Sequence, residues 1–378
     1  MKNPIGTTVL QPEGYKVFIP SGFPPKEIFN FSPALIKKAN KATLKIGKLD
    51  GITKLLPDLD FFLRMYIRKD ATSSSQIEGT EATMINAIEA ESKTSDKLPK
   101  DVNDILHYID ALNYGMKRLE DLPISNRFIC EVHKKLMHGA RTSHYSDPGN
   151  FRQSQNWIGG TTPANARFVP PSVHAMKSAL TDLEKFFHTE DVFLPIIKAG
   201  LIHAQFETIH PFLDGNGRTG RILITLFLWI EELLKKPVLF LSDYFKKHQK
   251  IYYEKLSDYH NGNFESWLDF FLDGVIEVAN ESFSTIDKIT DIRMEDMKKI
   301  QSLNKTASKS SVIILQKLFA LPIITVPKVM EWTGFTRRGA EKSINRLVSL
   351  EILELKDENE KYGRSFVYRR YLDVFENV

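Results

Sequence analysis

Cysteine is nearly missing from this chain: Cys130 is the only one in 378 residues. A disulfide framework within the chain and a cysteine-rich zinc site are thereby excluded, and the scarcity fits a reducing compartment. A long apolar run is also lacking. The most apolar segment, Ile222 to Leu234, is broken by Thr225, Glu231 and Glu232. It falls short of the roughly 20 residues a bilayer span needs, so it reads as a buried helix and no membrane partner is expected. The stretch Met1 to Tyr15 has no basic start followed by an apolar run, so no secretory leader is expected and the location predicted is cytoplasmic. Charge of one sign is scarce too. With 51 Lys and Arg, 47 Asp and Glu, the net charge is +4, which creates no strong field for nucleic acid. The P-loop pattern G-x-x-x-x-G-K-[ST] and the protein-kinase motifs are absent, and no internal repeat stands out.

What is present is an ordinary globular composition, 42% hydrophobic and 26% charged. The length exceeds the roughly 250–300 residues of a single core, so a large domain with one or two smaller ones is expected. Up to about residue 300 the pattern is helical. The candidate helices are Pro33 to Lys45, Asp58 to Lys69, Val102 to Leu119, Ser125 to His138, Ser172 to Phe187, Pro195 to Thr208, Gly217 to Leu234, Ser242 to His260 and Phe264 to Ala279. Apolar residues recur three and four apart, as at Ile105, Ile109, Leu112 and Met116. Ile196 to Ile209 and Ile222 to Leu234 are apolar almost all round, the mark of central helices. The one exception is Trp157 to Val169, where two short apolar pieces flank Gly159-Gly160-Thr161-Thr162-Pro163-Ala164-Asn165, a hairpin signal.

Lys288 to Lys299 is charged and helical in pattern, and the small polar run Asn304 to Ser311 reads as a domain boundary. Beyond it come three helices, Val312 to Ala320, Pro327 to Trp332 and Arg337 to Leu350, with Thr336 placed to cap the third. Ala340, Ile344, Leu347 and Val348 form its apolar face. Two strands, Glu351 to Lys356 and Ser365 to Tyr371, are joined by the polar turn Asp357 to Arg364. Three helices and a two-stranded wing suggest a winged helix-turn-helix.

The segment His210-Pro-Phe-Leu-Asp-Gly-Asn-Gly-Arg-Thr-Gly-Arg221 carries the chemistry. Pro211 ends the preceding helix, and Gly215 and Gly217 allow positive φ and close approach of a ligand. A new helix starts at about Gly217, and its free N–H groups and dipole favour an anion, which makes a phosphate cradle. Arg218 and Arg221, three apart, are expected to share a face and reach a polyphosphate. Asp214 offers a hard oxygen for Mg²⁺. His210 brings an imidazole to the rim, the side-chain type suited to taking a proton from an attacking hydroxyl. The segment also matches G-x-G-x-x-G, but a helix rather than a strand precedes it, so the dinucleotide fold is rejected. A zinc site on His203, Glu207 and His210 lacks the H-E-x-x-H spacing and a thiolate, and His203 reads as a core histidine.

These residues closely resemble the signature of the Fic family, His-Pro-Phe-x-[Asp/Glu]-Gly-Asn-[Gly/Lys]-Arg-x-x-Arg, and match it at every specified position. The likeness extends over about residues 122 to 280. It implies a mainly α fold: a Fic-type helical core with a β-hairpin flap, here followed by the C-terminal winged helix. The activity it implies is transfer of AMP from ATP to a Ser, Thr or Tyr hydroxyl of a target protein. By motif position His210 is then the general base and Asp214 holds Mg²⁺. Gly215, Asn216 and Gly217 form the anion hole, Asn216 with its side chain as well, and Arg218 and Arg221 bind the outer phosphates, with Thr219 and Gly220 completing the nucleotide-binding stretch. The hairpin Trp157 to Val169, followed by Pro170 and Pro171, resembles the family's flap. Its second arm, Arg167, Phe168 and Val169, is a candidate nucleotide contact, and its exposed edge is suited to aligning an extended target segment. Ser74-Ser75-Gln76-Ile77-Glu78-Gly79 matches the [Ser/Thr]-x-x-x-Glu-[Gly/Asn] inhibitory motif, which implies a bidentate pair between Glu78 and Arg221. Tyr252 and Tyr253 resemble part of the family's nucleoside pocket. Where relatives often have Ala-Asn, this chain has Tyr259-His260-Asn261.

The division expected is therefore 1–121, a helical region with the inhibitory segment; 122–285, the catalytic core; 286–311, a charged helix and linker; and 312–378, the winged helix. Arg337, Arg338, Lys342 and Arg346 on its third helix make DNA a candidate partner, and a homodimer is another. Two further readings stay open: a DNA-binding regulator with a nucleotide-sensing Fic-like part, and a Fic enzyme that transfers a different phosphate-linked group or removes AMP.

Overall fold

The computed structural model describes residues 4–25, 30–53, 59–94, 98–139, 147–190, 193–357 and 363–376. The chain opens with a hairpin where only helices were expected. β1 (Gly6–Leu10) pairs antiparallel with β2 (Lys16–Pro20), Gly6 opposite Pro20 and Leu10 opposite Lys16. Neither strand alternates: Val17 and Phe18 are buried side by side while β1 is exposed from Thr7 onward, so the period-two signal is absent.

Helices α1 (Pro33–Thr53), α2 (Leu59–Ile77), α3 (Met84–Ser92), α4 (Val102–Arg118) and α5 (Asn126–Met137) follow. The expected start of α2, Asp58, lies outside the described residues, and α2 runs past Lys69 to Ile77. Short α3 was not anticipated; a capping box fixes its start, with Asn86 N–H donating to Thr83 Oγ1 (3.3 Å) and Thr83 N–H to Asn86 Oδ1 (2.9 Å). Next come α6 (Val173–His188), α7 (Pro195–Ile209) and α8 (Asn216–Ile230). The helix expected over Ser242 to His260 is two, α9 (Ser242–Lys247) and α10 (Gln249–His260), separated at His248.

Every residue of α7 from Ile196 to Ile209 and every residue of α8 from Arg218 to Leu228 is buried, so these two helices form the centre. α11 (Phe264–Gln301) runs unbroken through the 285/286 division. Its buried stripe continues past Ala279 through Ser282, Thr285, Ile286 and Ile289 with small polar residues in place of apolar ones, which hid it from the hydrophobic pattern. α1 lies along it, burying Leu35, Ala39, Ala42, Ile46 and Leu49.

The polar run Asn304 to Ser311 is the start of a helix rather than a linker. Asn304 Oδ1 accepts the N–H of Ala307 at 3.0 Å and caps α12 (Lys305–Leu318). Then come β3 (Ile323–Thr325), α13 (Val326–Thr333), α14 (Arg337–Ser349), β4 (Glu354–Leu355), β5 (Ser365–Val367) and α15 (Arg369–Glu376). Thr336 caps α14 as expected, its Oγ1 accepting from Gly339 N–H at 3.4 Å. Two strands were expected and three pair, in the order β3-β5-β4, all antiparallel. The strand expected through Tyr371 stops at Val367, because Tyr371, Leu372, Val374 and Phe375 bury on a helical spacing. Residues 358–362 of the expected turn lie outside the described residues.

This C-terminal unit packs on α2. Phe319 stacks on Phe62 with ring centroids 5.6 Å apart, Phe375 meets Tyr66 edge-on at 5.5 Å, and Arg68 donates to the Ala320 carbonyl at 2.7 Å. Among the described residues no helix is long and apolar enough to cross a membrane.

Candidate active site

The loop between α7 and α8 is built by backbone geometry. His210 closes α7 in the left-handed region (φ 47°), its N–H donating to the Phe206 carbonyl at 2.9 Å. Gly215 (φ 77°) opens α8, and a Cβ there would come within 2.7 Å of Met137 Sδ, so only glycine fits. Asn216 staples the loop: its Oδ1 accepts Phe212 N–H and its Nδ2 donates to Phe212 O, both at 2.8 Å. Its side chain thus braces the loop with its oxygen and one of its two N–H groups, and Asn216 lines the cavity. Thr219 Oγ1 donates back to Gly215 O at 2.8 Å.

Four further side chains, missed from sequence, hold this assembly. Arg152, 1% exposed, donates through Nε to His210 O at 3.0 Å and through Nη1 to Ser154 O at 3.1 Å. Its remaining Nη2 donates to Pro171 O, and burial pushes its guanidinium down to about 10. Asn156 Nδ2 donates to His210 O (3.2 Å) and Phe212 O (2.8 Å). His133 accepts Gly149 N–H on Nδ1 at 3.0 Å, which leaves Nε2–H to donate to Asp214 O at 2.9 Å. Its ring stacks on Phe212 at 3.6 Å. His260 stacks on Phe168 at 3.9 Å and fastens residues 157–169 from α10. Nothing local flags these residues except His260, where the departure from the family pattern marked the place.

A cavity of about 360 Å³ opens over the start of α8. His210, Asp214, Gly215, Asn216, Gly217 and Arg221 line it from the loop, Glu78 from the end of α2, Arg167 and Phe168 from the 157–169 segment, and Tyr252 and Tyr253 from α10. The Gly215 N–H donates to Asp214 Oδ1 at 2.6 Å, while the N-cap position, a glycine, supplies no side chain to the amides of Asn216 and Gly217 that follow, the arrangement an anion needs. Arg218, Thr219 and Gly220 lie outside the lining. Arg218 is 6% exposed and turns towards Met137, Nη2 to Sδ 3.4 Å, away from the face that Arg221 shares with α2. Gly220 lets α7 approach: a Cβ would stand 3.0 Å from Glu207 Oε1.

Arg221 is held from α2. Its Nε donates to Ser74 Oγ (2.8 Å), and its Nη2 to Ser74 O (2.9 Å) and Glu78 Oε1 (2.7 Å). The pair with Glu78 is thus single-pronged rather than bidentate, because Ser74 takes the other donor. Burial alone would push Arg221 down; Glu78, Tyr252 and Glu207 together outweigh it and hold the guanidinium above its usual range. Gly217 makes this contact possible, since a Cβ there would lie within 2.3 Å of Glu78 Oε1. Gly79 (φ 89°) ends α2 just beyond.

Residues 157–169 form a looser structure than a two-stranded hairpin: one bridge, Ile158 to Phe168, with a 3₁₀ turn over Pro163–Asn165. Asn165 Oδ1 ties the tip by accepting from Thr161 N–H (3.0 Å) and Thr162 N–H (2.8 Å). Val169 is buried and lies outside the cavity lining; its carbonyl accepts Phe18 N–H of β2 at 2.9 Å, which ties the N-terminal hairpin to this arm. Arg167 lies over the Tyr253 ring at 4.7 Å. Tyr252, 1% exposed, has its hydroxyl 2.8 Å from His203 Nε2.

Burial pushes His133 and His203 down to about 4 and His260 down to about 3. An unfolded histidine takes its proton near pH 6.5, so the unfolded chain binds more protons below that pH and stability falls as pH drops towards about 4. Above about pH 6.5 the contribution is complete. Each ring contributes at most about 1.4 kcal/mol per pH unit, so the three set a ceiling of about 4 kcal/mol per unit, approached near the middle of the window and halved at its edges. Denaturant unfolding between about pH 6.5 and 4.5 measures this slope; an uptake below about one proton on unfolding would show that these rings are charged in the fold.

Comparison with known proteins assigns the architecture. Residues 36–117 match the Fic/DOC family N-terminal domain and residues 123–228 the Fic/DOC family domain. These two stretches are thus similar to the two Fic/DOC domain families, the second stretch containing the loop. A protein adenylyltransferase Fic of Aedes aegypti is 29% identical over 178 residues, 45% of this chain and 32% of that protein. Its counterpart in Drosophila erecta is 28% identical over 161 residues, 40% of this chain and 30% of that one. The chain therefore spans about a third of the length of these curated relatives. The crystal structure of a Fic family protein from Desulfovibrio desulfuricans superposes with a TM-score of 0.58 at 17% identity, over 90% of this chain and 97% of that one. A Fic domain containing signaling protein from Bacteroides thetaiotaomicron gives 0.54 at 17% identity, over 66% and 97%. At such identities these two speak for the fold alone.

Proposed function

We propose that this protein is an adenylyltransferase that moves AMP from ATP to a Ser, Thr or Tyr hydroxyl of a target protein, and that Glu78 on Arg221 holds it inactive. The observation that carries the reading is the first turn of α8, where no N-cap side chain meets the Asn216 and Gly217 amides, opening into one cavity with His210. The matches to curated adenylyltransferases across the same loop support it.

In this reading the amides of Gly215, Asn216 and Gly217 bind the phosphates next to the reacting one, and Arg221, once released, orients the outer phosphate. The target oxygen attacks the α-phosphorus, its proton passes to His210, and the bond to the departing pyrophosphate breaks. Asp214, on the cavity wall beside the helix start, would hold a Mg²⁺, and the ion would supply charge neutralisation for the phosphates. Arg167 and Tyr253 frame the space for the nucleoside, with Phe168 held by His260 beneath them. Arg218 acts as packing at Met137 rather than as a phosphate ligand.

Residues 122–285 serve as the catalytic core, and residues 312–378 as a winged helix for targeting or assembly. Arg337 on α14 is paired with Glu341 (3.0 Å), and Arg346 donates to Ala307 O (3.4 Å) and Ser310 Oγ (3.3 Å). Arg337, Arg338 and Lys342 are the exposed basic side chains of α14, with Glu341 offsetting one of the three charges, which favours a protein partner over a phosphate backbone.

The test uses ATP labelled at the α- or the γ-phosphate, incubated with the Glu78→Gly protein and a cell extract as a source of acceptors. Label from the α position is expected on protein. Label from the γ position alone would overturn AMP transfer in favour of phosphate transfer.

A further inference from the structure

Glu207 is a buried carboxylate, 7% exposed, one turn before His210 on α7, and the chemistry above gives it no task. Its Oε2 lies 3.6 Å from His210 Nδ1. Neither Nδ1 nor Glu207 Oε1 has a hydrogen-bond partner, and both atoms are enclosed. An enclosed polar atom without a partner is costly, and the enclosed Nδ1 faces the Oε2 edge of this carboxylate, while Oε1 turns to the Gly220 side, where His203 Nδ1 also lies. Around them stand His203 on α7, Arg221 on α8, and Tyr252 and His260 on α10. Burial would push the Glu207 carboxyl up, but His210, His203 and Arg221 outweigh it and hold it below the usual range. The carboxylate is therefore ionised and can only accept.

We propose that Glu207 is a positioning residue for the transfer, fixing the proton of the His210 ring on Nδ1. With Nδ1 turned to the carboxylate, Nε2 is the nitrogen left for the cavity, carrying a lone pair. The attacking hydroxyl gives its proton to Nε2 as its oxygen bonds to phosphorus, and the ring becomes an imidazolium whose Nδ1–H still faces Glu207. The proton leaves to water after the products. The 3.6 Å separation is long for a hydrogen bond, and a small rotation of either side chain closes it, as catalytic contacts do when substrate binds. Glycine at 220 provides the room, because any side chain there would press on Oε1. The catalytic consequence rests on the adenylyl-transfer reading; the placement of the ring proton does not.

The isosteric Glu207→Gln variant separates the two. An amide can turn its NH₂ towards Nδ1, which favours the proton on Nε2 and a ring unable to act as base. In the Glu78→Gly background, kcat is expected to fall on the order of a hundredfold with the Kd for ATP within about twofold. In ¹⁵N-histidine spectra, His210 is expected to show Nδ1–H in the wild-type protein and Nε2–H in Glu207→Gln. A fall in kcat of less than about tenfold, an Nδ1–H signal that survives the substitution, or an Nε2–H signal in the wild type each overturn the proposal. The wild-type spectrum needs no variant to fold. If Glu78→Gly itself transfers no label, the reading of function fails, while the spectra still decide the role of Glu207.

Discussion

The His210→Ala protein, in the Glu78→Gly background, is expected to lose transfer of the α-phosphate label by on the order of a thousandfold while still binding ATP. The loop does not depend on the imidazole for its shape. The His210 carbonyl is gripped by Arg152 and Asn156, and its N–H by Phe206 O. All three are backbone contacts that alanine keeps. The left-handed backbone at φ 47° costs alanine somewhat more than histidine, on the order of 1 kcal/mol, which the backbone contacts offset. The amides at the start of α8 are untouched, so the phosphates keep their seat. What disappears is the proton acceptor within the cavity, and an alcohol is a poor nucleophile until its proton is being removed. Label transfer and equilibrium ATP binding, measured on the same preparation, check both halves. A rate within about tenfold of the parent would remove His210 as the base.

How much of this was legible in the sequence follows from how local each signal is. The loop was readable because proline, glycine and a helix start act within a few residues, and the central helices because their apolar faces close all round. The cap at Thr336 was readable for the same reason. His133, Arg152 and Asn156 were not, since each acts on backbone groups 54 to 81 residues away, and such pairings leave no periodic trace. Arg218 and Arg221, three apart, do not both line the cavity, because spacing sets only an approximate angle on the helix. Which arginine meets the cavity was decided by α2, whose Ser74 and Glu78 draw Arg221, while Met137 of α5 covers Arg218. The length of α11 was hidden by Ser282 and Thr285 in a buried stripe.

Glu78→Gly is expected to raise kcat for transfer by roughly 10- to 100-fold, the range of a coupling worth about 1.4–3 kcal/mol. Arg221 is 2% exposed on its side chain, and its Nε and Nη2 are both engaged by α2. An arginine so held cannot turn to an outer phosphate. The Glu78 side chain is 38% exposed, so water screens the pair and keeps its strength moderate. Its position matters more than its strength. Glu78 Oε1 lies within 2.3 Å of where a Gly217 Cβ would stand, which puts a negative charge beside the amides that a phosphate needs. Removing it frees Nη2 and clears the like charge in one step. Glu78→Gln distinguishes the two effects, because it keeps the shape and drops the charge. Ser74→Ala should release less, since the Ser74 carbonyl still accepts from Nη2. Initial rates of α-label incorporation at saturating ATP are the measurement, and equal rates for wild type and Glu78→Gly would show that the contact restrains nothing.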